Sequence, residues 1–262
     1  MYFLIFGISF FASIIGSICG IGGGIIMKPA MDALTSLELY MINFLSGCTV
    51  LSMSLYSVTK NKLTNDSKIN MSVGTPLAIG ASIGGLVGKE LFQIISMLFE
   101  SINLLGALQA FMLVLLTLGT LIYSLNKGKI KTLSIENKFI CLLIGLVLGC
   151  ISSFLGIGGG PFNLIVLYYF FTMSTKEAAQ NSLYIILFSQ LTSLIKSLLT
   201  IDLFSINLLL LIGMTVCGII GGFVGRKINK KIDDKVVDKL FLYLMILIIF
   251  INIFNIYKYL SM

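Results

Sequence analysis

Two short glycine runs interrupt apolar stretches of the sequence and are its strongest candidates for chemistry. One is Gly20-Ile21-Gly22-Gly23-Gly24 and the other is Gly156-Ile157-Gly158-Gly159-Gly160. Glycine lowers helix propensity, frees the backbone to turn and leaves N–H groups uncovered by side chains. In lipid, unsatisfied backbone groups are costly, so such a break must be buried in protein or line a cavity.

The second run is followed directly by Pro161, and proline is favoured at the first position of a helix. A helix that begins there would present free N–H groups and about half a positive charge, which suits a small anion. If the first run also begins a helix, the two N-termini could hold one anion between them. Neither run is a nucleotide phosphate loop, because no strand precedes it and no Gly-Lys-Ser/Thr follows.

Small residues also allow helices to pack closely in membranes, which is the competing interpretation of every glycine motif. We prefer it for two motifs that share a Gly-Gly-x-x-Gly pattern, Gly84-Gly85-Leu86-Val87-Gly88 and Gly221-Gly222-Phe223-Val224-Gly225. For the runs at 20–24 and 156–160 we prefer a functional role.

Polar side chains near the glycine runs complete the candidate site. Asn163 lies three residues after the second run, and Gln190 lies further along the segment that contains Asn181 and Ser182. Asn181 corresponds in spacing to Asn43. These amide and hydroxyl groups can bond sulfonate or carboxylate oxygens, although the same groups also join helices. The predicted substrate-binding residues are Gly22, Gly23, Gly24, Asn43, Gly158, Gly159, Gly160, Asn163, Asn181, Ser182 and Gln190.

Histidine is absent from the sequence, which excludes Ser-His-Asp and Cys-His nucleophiles and histidine-ligated metals. An intramembrane enzyme would need a Ser-Lys pair or paired carboxylates on facing helices, and no convincing pair is present. We therefore expect no enzyme activity, no catalytic residue, no metal site and no cofactor. The five cysteines lie inside apolar runs, which is typical of small buried packing residues. Lys28 and Asp32 are spaced to pair on one helix face.

The composition is that of a membrane protein. A soluble domain would contain about 25% charged residues, whereas this chain of 262 residues contains 11%, is 57% hydrophobic and has a mean hydropathy of +1.04. The sequence predicts an all-α, polytopic membrane protein in a lipid bilayer. Its net charge of +7 then reflects loops rather than nucleic-acid binding. A stretch at 91–101 is expected to form an interfacial turn. Eight apolar segments cover about 2–27, 39–59, 69–88, 102–125, 139–171, 178–200, 204–225 and 239–259.

Three features recur in the same order at a nearly constant spacing. The glycine runs lie 136 residues apart, Asn43 and Asn181 lie 138 residues apart, and the Gly-Gly-x-x-Gly motifs lie 137 residues apart. This indicates a duplicated half, with one membrane repeat at 1–127 and a second at 138–262.

The distribution of Lys and Arg bears on how the segments cross the membrane. If each of the eight segments crosses once, the two sides carry nine basic residues each, against the positive-inside rule. If the glycine runs break their segments so that each half has five elements, one side carries 14 and the other four. An odd number of elements makes the repeats inverted, which is a recurrent transporter design. We therefore expect inverted repeats with re-entrant helices at the glycine runs, and cytoplasmic loops at 60–68, 127–138 and 226–239.

The combination of motifs resembles the sulfite exporter TauE/SafE family of bacterial-type membrane permeases over nearly the whole chain. The residues that carry the resemblance are the two glycine runs with Pro29 and Pro161, the Gly-Gly-x-x-Gly motifs with Lys89 and Arg226, and Lys-Glu-Ala-Ala-Gln-Asn-Ser-Leu at 176–183. The resemblance implies a protein of eight spans that transports sulfite, organosulfonates or related organic acids across the cytoplasmic membrane.

Two departures from the family pattern lie beside the candidate site. Lys28 stands where an apolar residue is usual, and Asn43-Phe44 stands where Thr-Ser is frequent. Both bear on which anion is bound. From the residues and the resemblance together we expect a secondary transporter for a small anion, with alternating access and a proton or sodium ion as coupling partner. A passive anion channel is the alternative, and the glycine-rich faces leave the oligomeric state open.

Overall fold

The computed structural model describes residues 2–99, 101–200 and 207–261. These residues form ten α-helices and no strand, with a short 3-10 turn at Lys127–Lys129. The helices are α1 (Tyr2–Cys19), α2 (Gly24–Leu34), α3 (Leu39–Leu63), α4 (Met71–Leu98), α5 (Ile102–Asn126), α6 (Lys138–Phe154), α7 (Pro161–Phe171), α8 (Thr175–Thr200), α9 (Leu208–Lys231) and α10 (Asp234–Leu260).

Helix length and composition confirm the predicted polytopic membrane protein. In the described part of the chain, seven helices are long and apolar enough to cross a membrane. The other three are α6, which is apolar but only 17 residues long, and the half-length helices α2 and α7, with 11 residues each. At a rise of about 1.5 Å per residue, 11 residues extend only about 17 Å, roughly half of a bilayer core.

The two half-length helices arise where the glycine runs divide predicted segments. The segment at 2–27 ends its first helix at Cys19 and starts the next at Gly24, and the segment at 139–171 breaks between Phe154 and Pro161. The predicted breaks are therefore confirmed, and five helices precede the turn at Lys127–Lys129 while five follow it.

The interfacial turn predicted at 91–101 is wrong for residues 91–98, because α4 continues to Leu98. Lys89 and Glu90 do not end the helix, since Glu90 forms an ion pair with Lys196 of α8 and Phe92 is buried. The predicted end of the segment at 204–225 is also too early, because α9 continues to Lys231. Residues 204–206 of that segment lie outside the described residues.

The Gly-Gly-x-x-Gly motifs allow close helix packing, as predicted. A Cβ atom added to Gly84 of α4 would lie 2.0 Å from the carbonyl oxygen of Leu146 in α6. A Cβ atom added to Gly225 of α9 would lie 2.4 Å from the carbonyl oxygen of Ile14 in α1. At both positions the helix backbones touch, and any larger side chain would separate them.

Contacts between the first five helices and the last five hold the bundle together. Helix α4 packs on α6 and α8, while α9 packs on α1 and α3. Likewise α2 packs on α10 and α7 on α5, and α3 meets α8 as α5 meets α10. Each of these pairs is converted into another by exchanging the first five helices with the last five.

Several loops that carry basic residues meet at one end of the bundle, which we name the basic end. The loop before α4 meets α9 through Asp66, which lies 3.0 Å from the guanidinium of Arg226. The turn after α5 meets α10 through Lys127 and Asp238, whose charged atoms lie 2.6 Å apart. Thr175, at the start of α8, donates a hydrogen bond to the same carboxylate.

Candidate functional site

The two glycine breaks have backbone angles that require glycine. Gly22 has a φ of +73° in the first break, and in the second break Gly158 has a φ of +72° and Gly159 a φ of +144°. Side chains with a Cβ atom disfavour this left-handed region. The glycines therefore set the path of the chain as well as the distance between helices.

The two breaks touch each other in the interior of the protein. A Cβ atom added to Gly24 would lie 1.9 Å from the carbonyl oxygen of Ile157, and one added to Gly159 would lie 3.3 Å from that of Ile21. All six predicted glycines are buried. The N-terminus of each half-length helix is therefore next to the opposite break.

The backbone N–H groups at the breaks are available for a ligand. Among the described residues, the turns at the breaks contain hydrogen bonds from Gly20, Ile21, Gly156 and Ile157, and none is found from the predicted binding glycines. Those glycines are Gly22, Gly23, Gly24, Gly158, Gly159 and Gly160. Free N–H groups at helix N-termini favour an anion.

Helices α3 and α8 bring two of the predicted polar side chains against the breaks. The Oδ1 atom of Asn43 lies 2.3 Å from where a Cβ atom of Gly156 would be, and the Oε1 atom of Gln190 lies 3.2 Å from that position at Gly158. Val50 of α3 and Ile186 of α8 contact the same glycines and close the space around them.

Three further polar atoms near the breaks lack a partner. In the described part of the chain, no hydrogen bond reaches Asn43 Oδ1, Asn163 Oδ1 or Ser182 Oγ, although all three atoms are buried. Asn163 is 1% exposed and lies in the first turn of α7, directly after the second break. A buried polar atom without a partner is costly, and a ligand with oxygen or hydroxyl groups would relieve that cost.

Asn181 has a different environment from the other predicted residues. Its amide nitrogen donates to the carbonyl oxygens of Lys68 and Glu177, and its Oδ1 accepts from the N–H of Asn70. These bonds fix the loop before α4 onto α8. The ligand role of Asn181 stays a prediction, and its present contacts are structural.

An ion pair is buried in α2, one turn beyond the first break. Lys28 and Asp32 lie 3.1 Å apart with side chains only 4% and 3% exposed, which confirms the predicted pairing. Lys258 of α10 donates to three carbonyl oxygens at the end of α2, those of Asp32, Ala33 and Thr35. In the part of the chain that the structure describes, no group of three acidic or cysteine residues could hold a metal ion.

A cavity at the basic end is a part of the site that the sequence did not indicate. It has a volume of about 210 Å³ and reaches from the loop before α4 to the ends of α1 and α3. We name it the basic cavity. Its lining is Ser17, Ser57, Asn61, Asp66, Lys68, Lys176, Ala179, Gln180, Leu183, Arg226, Asn229 and Lys230.

The corresponding place at the other end of the bundle is filled, and we name it the aromatic end. Aligning Gly88 with Gly225 makes Phe92 of α4 the counterpart of Asn229 of α9. Phe92 is 1% exposed and its ring meets those of Phe154 and Tyr40 edge-on, at centroid distances of 6.4 and 5.4 Å. Leu39 and Leu105 complete the cluster.

These features define a multi-pass α-helical membrane protein whose interior contains two facing helix breaks, an arrangement found in secondary transporters. Comparison with known families matches residues 5–251 to the family described as sulfite exporter TauE/SafE. The match covers more than half of the chain, so the protein belongs to this family of membrane transporters. No curated protein and no solved structure matches the chain significantly.

Proposed function

We propose that the protein is a secondary transporter that carries a small sulfur-containing anion, such as sulfite or an organosulfonate, or a related organic acid across the cytoplasmic membrane. The observation that carries the proposal is the contact between the two glycine breaks. The free N–H groups of Gly22–Gly24 and Gly158–Gly160 hold the anionic head, since both sets lie at helix N-termini.

Side chains from three helices complete the proposed site. Asn43 of α3, Gln190 of α8 and Asn163 of α7 add hydrogen bonds to the anion, with Ser182 behind them. The support comes from two contacts with the breaks and from buried polar atoms without partners. Because asparagine and glutamine donate as well as accept, they bind oxyanions without adding charge to the membrane interior.

In this proposal the chain consists of two inverted repeats, 1–127 and 138–262, that rock around the breaks in alternating access. The exchange of helix contacts between the first five and the last five helices supports this arrangement. The basic loops 60–68, 127–138 and 226–239 face the cytoplasm, in line with the excess of Lys and Arg on that side. A proton or sodium gradient, or the gradient of the substrate, drives transport.

Counterflow of labelled sulfite, taurine and acetate into proteoliposomes tests the proposal. We expect saturable uptake of a sulfur anion by the wild type and its loss in Gly159→Leu. The matched control is Gly119→Leu in α5, because a Cβ atom added there meets no atom within 4 Å. A channel would conduct without counterflow, and equal uptake by both variants would contradict the glycine-break site.

A second variant separates binding from folding. Asn163→Leu removes a buried Oδ1 atom that has no partner, so we expect its melting temperature in detergent to equal or exceed that of the wild type. Its uptake should nevertheless fall by about tenfold or more, since a hydrogen bond to an anion contributes at least about 1.4 kcal/mol. Normal uptake in Asn163→Leu would remove this side chain from the site.

A further inference from the structure

The basic cavity carries more positive charge than it neutralises. Four cationic side chains line it, those of Lys68, Lys176, Arg226 and Lys230, against the single carboxylate of Asp66. Both Arg226 and Lys230 direct their charge at that carboxylate. One negative charge is thus shared between two cations, and a second anion would be electrostatically favourable there.

The guanidinium of Arg226 is held in a fixed orientation. Its Nε donates to Asn61 Oδ1 at 2.5 Å, and its Nη2 donates to Thr64 Oγ1 at 2.5 Å and to Asp66 Oδ2 at 3.0 Å. Asn61 and Thr64 both lie at the end of α3 and position the planar group toward the loop. A guanidinium fixed in this way matches the paired oxygens of an oxyanion, because its N–H groups form a planar fork.

The inner wall of the basic cavity is polar and leads toward the first glycine break. The hydroxyls of Ser17 and Ser57 lie 3.3 Å apart, and each residue is at most 5% exposed. Ala179, in the same wall, contacts Gly20 at the start of the break. An anion in the basic cavity is therefore separated from the break by little more than one layer of residues.

We propose that the basic cavity is a binding site for a small sulfur oxyanion, in which the anion takes the place of the Asp66 carboxylate on Arg226 and Lys230. Asp66 then acts as a competitor that belongs to the protein itself: it satisfies the two cations when the site is empty and is displaced on binding. The inference rests on the proposed function, since this site loads the glycine-break site from the basic end.

The purified protein in detergent tests the proposal through the rise of its melting temperature with sulfite concentration. We expect Arg226→Gln to raise the half-saturating sulfite concentration by about tenfold or more, because a charged, oriented donor is lost. Asp66→Asn should lower it by about threefold, because the competing carboxylate is gone. Opposite shifts from the two ends of one ion pair are not expected if the pair only stabilises the fold.

Lys227→Gln is the matched control, because it removes one positive charge from the neighbouring position of α9, which does not line the basic cavity. Its half-saturating concentration should stay within about twofold of the wild type, since only long-range charge is lost. Acetate should stabilise the wild type less than sulfite does. Equal effects of Arg226→Gln and Lys227→Gln, or weaker binding in Asp66→Asn, would overturn the proposal.

The same series in the Asn163→Leu background separates the two sites. If the basic cavity binds sulfite, the order of the variants is preserved there, although transport is impaired. If that order disappears, binding depends on the glycine breaks alone and the basic cavity is not a site. Failure of wild-type counterflow would instead count against the proposed transporter, independently of these shifts.

Discussion

The basic end and the aromatic end are built from corresponding helices and differ in what lies between them. At the basic end, Asn229 of α9 donates to the carbonyl oxygen of Ile18 at the end of α1, 2.6 Å away, and lines a cavity. At the aromatic end, its counterpart Phe92 packs against Phe154 at the end of α6. There the carbonyl oxygen of Phe154 is satisfied by Gln109 of α5 instead.

This difference shows how one helix arrangement gives two kinds of end. An asparagine satisfies the last turn of the neighbouring helix and leaves space beside it, whereas a phenylalanine fills the same space with an apolar ring. The structure thus has a water-accessible route toward the breaks at one end and a closed aromatic cluster at the other. In the alternating-access proposal, this is the state open to the basic end.

The largest effect should come from thiols placed at the two corresponding positions. In a chain whose five native cysteines are replaced, Asn229→Cys lies beside the basic cavity and Phe92→Cys lies in the aromatic cluster. We expect a charged, water-soluble thiosulfonate to label Asn229→Cys about 100-fold faster, because exposure and nearby cations favour the thiolate. Mass spectrometry of the labelled fraction over time measures both rates. Similar rates would show that the two ends are equally open.

Truncation of the aromatic cluster should have the next largest effect. Phe92→Ala leaves a cavity among Phe154, Tyr40 and their neighbours, so we expect it to lower the free energy of unfolding by about 3 kcal/mol. Phe3→Ala is the control, because Phe3 is 94% exposed and its loss leaves no cavity. Unfolding followed by circular dichroism in detergent compares them. If both variants are equally mild, the ring does not hold this end closed.

The smallest effect concerns the charge at the basic end. Hydrogen bonds from Lys230 and Thr64 hold the pKa of the Asp66 carboxyl below its usual value of 3.8. A carboxyl whose pKa is lowered by folding stabilises the protein above that usual value, and the contribution is lost as the pH falls through the folded-state pKa.

The melting temperature of the wild type should therefore exceed that of Asp66→Asn at about pH 7 and approach it in acid. Because the loop is exposed, we expect a difference of only a few degrees, on the order of the shift that about 1 kcal/mol produces. A difference that stays constant from neutral pH to below pH 3.8 would show that the Asp66 charge is not its cause.

The glycine breaks were predictable from the sequence, because glycine and Pro161 act through local backbone geometry. The pairing of Lys28 with Asp32 follows from helix periodicity in the same way. The length of α4 was missed because Lys89 and Glu90 suggest a helix end in lipid, whereas here α8 supplies a partner for Glu90.

The basic cavity could not be predicted in the same manner. Its lining comes from four separate stretches of the chain, at 17, 57–68, 176–183 and 226–230, which only helix packing brings together. Arg226 was noticed in a family motif and in the count of basic residues, but neither pattern indicates which loop it meets. The contrast between Phe92 and Asn229 was present in the repeat spacing and becomes informative once α4 is known to extend past Glu90.

The capping of α2 by α10 has a consequence for the order in which the protein assembles. Lys258 and Asn255 hold the carbonyl oxygens of α2, among them those of Asp32 and Pro29, and Gly24 rests on Ile157. During synthesis the first break leaves the ribosome long before any of these partners exists. It therefore enters the membrane unfinished and reaches its final geometry only after α10 has been inserted. Loss of Lys258 should accordingly be felt during biogenesis, at the opposite end of the sequence.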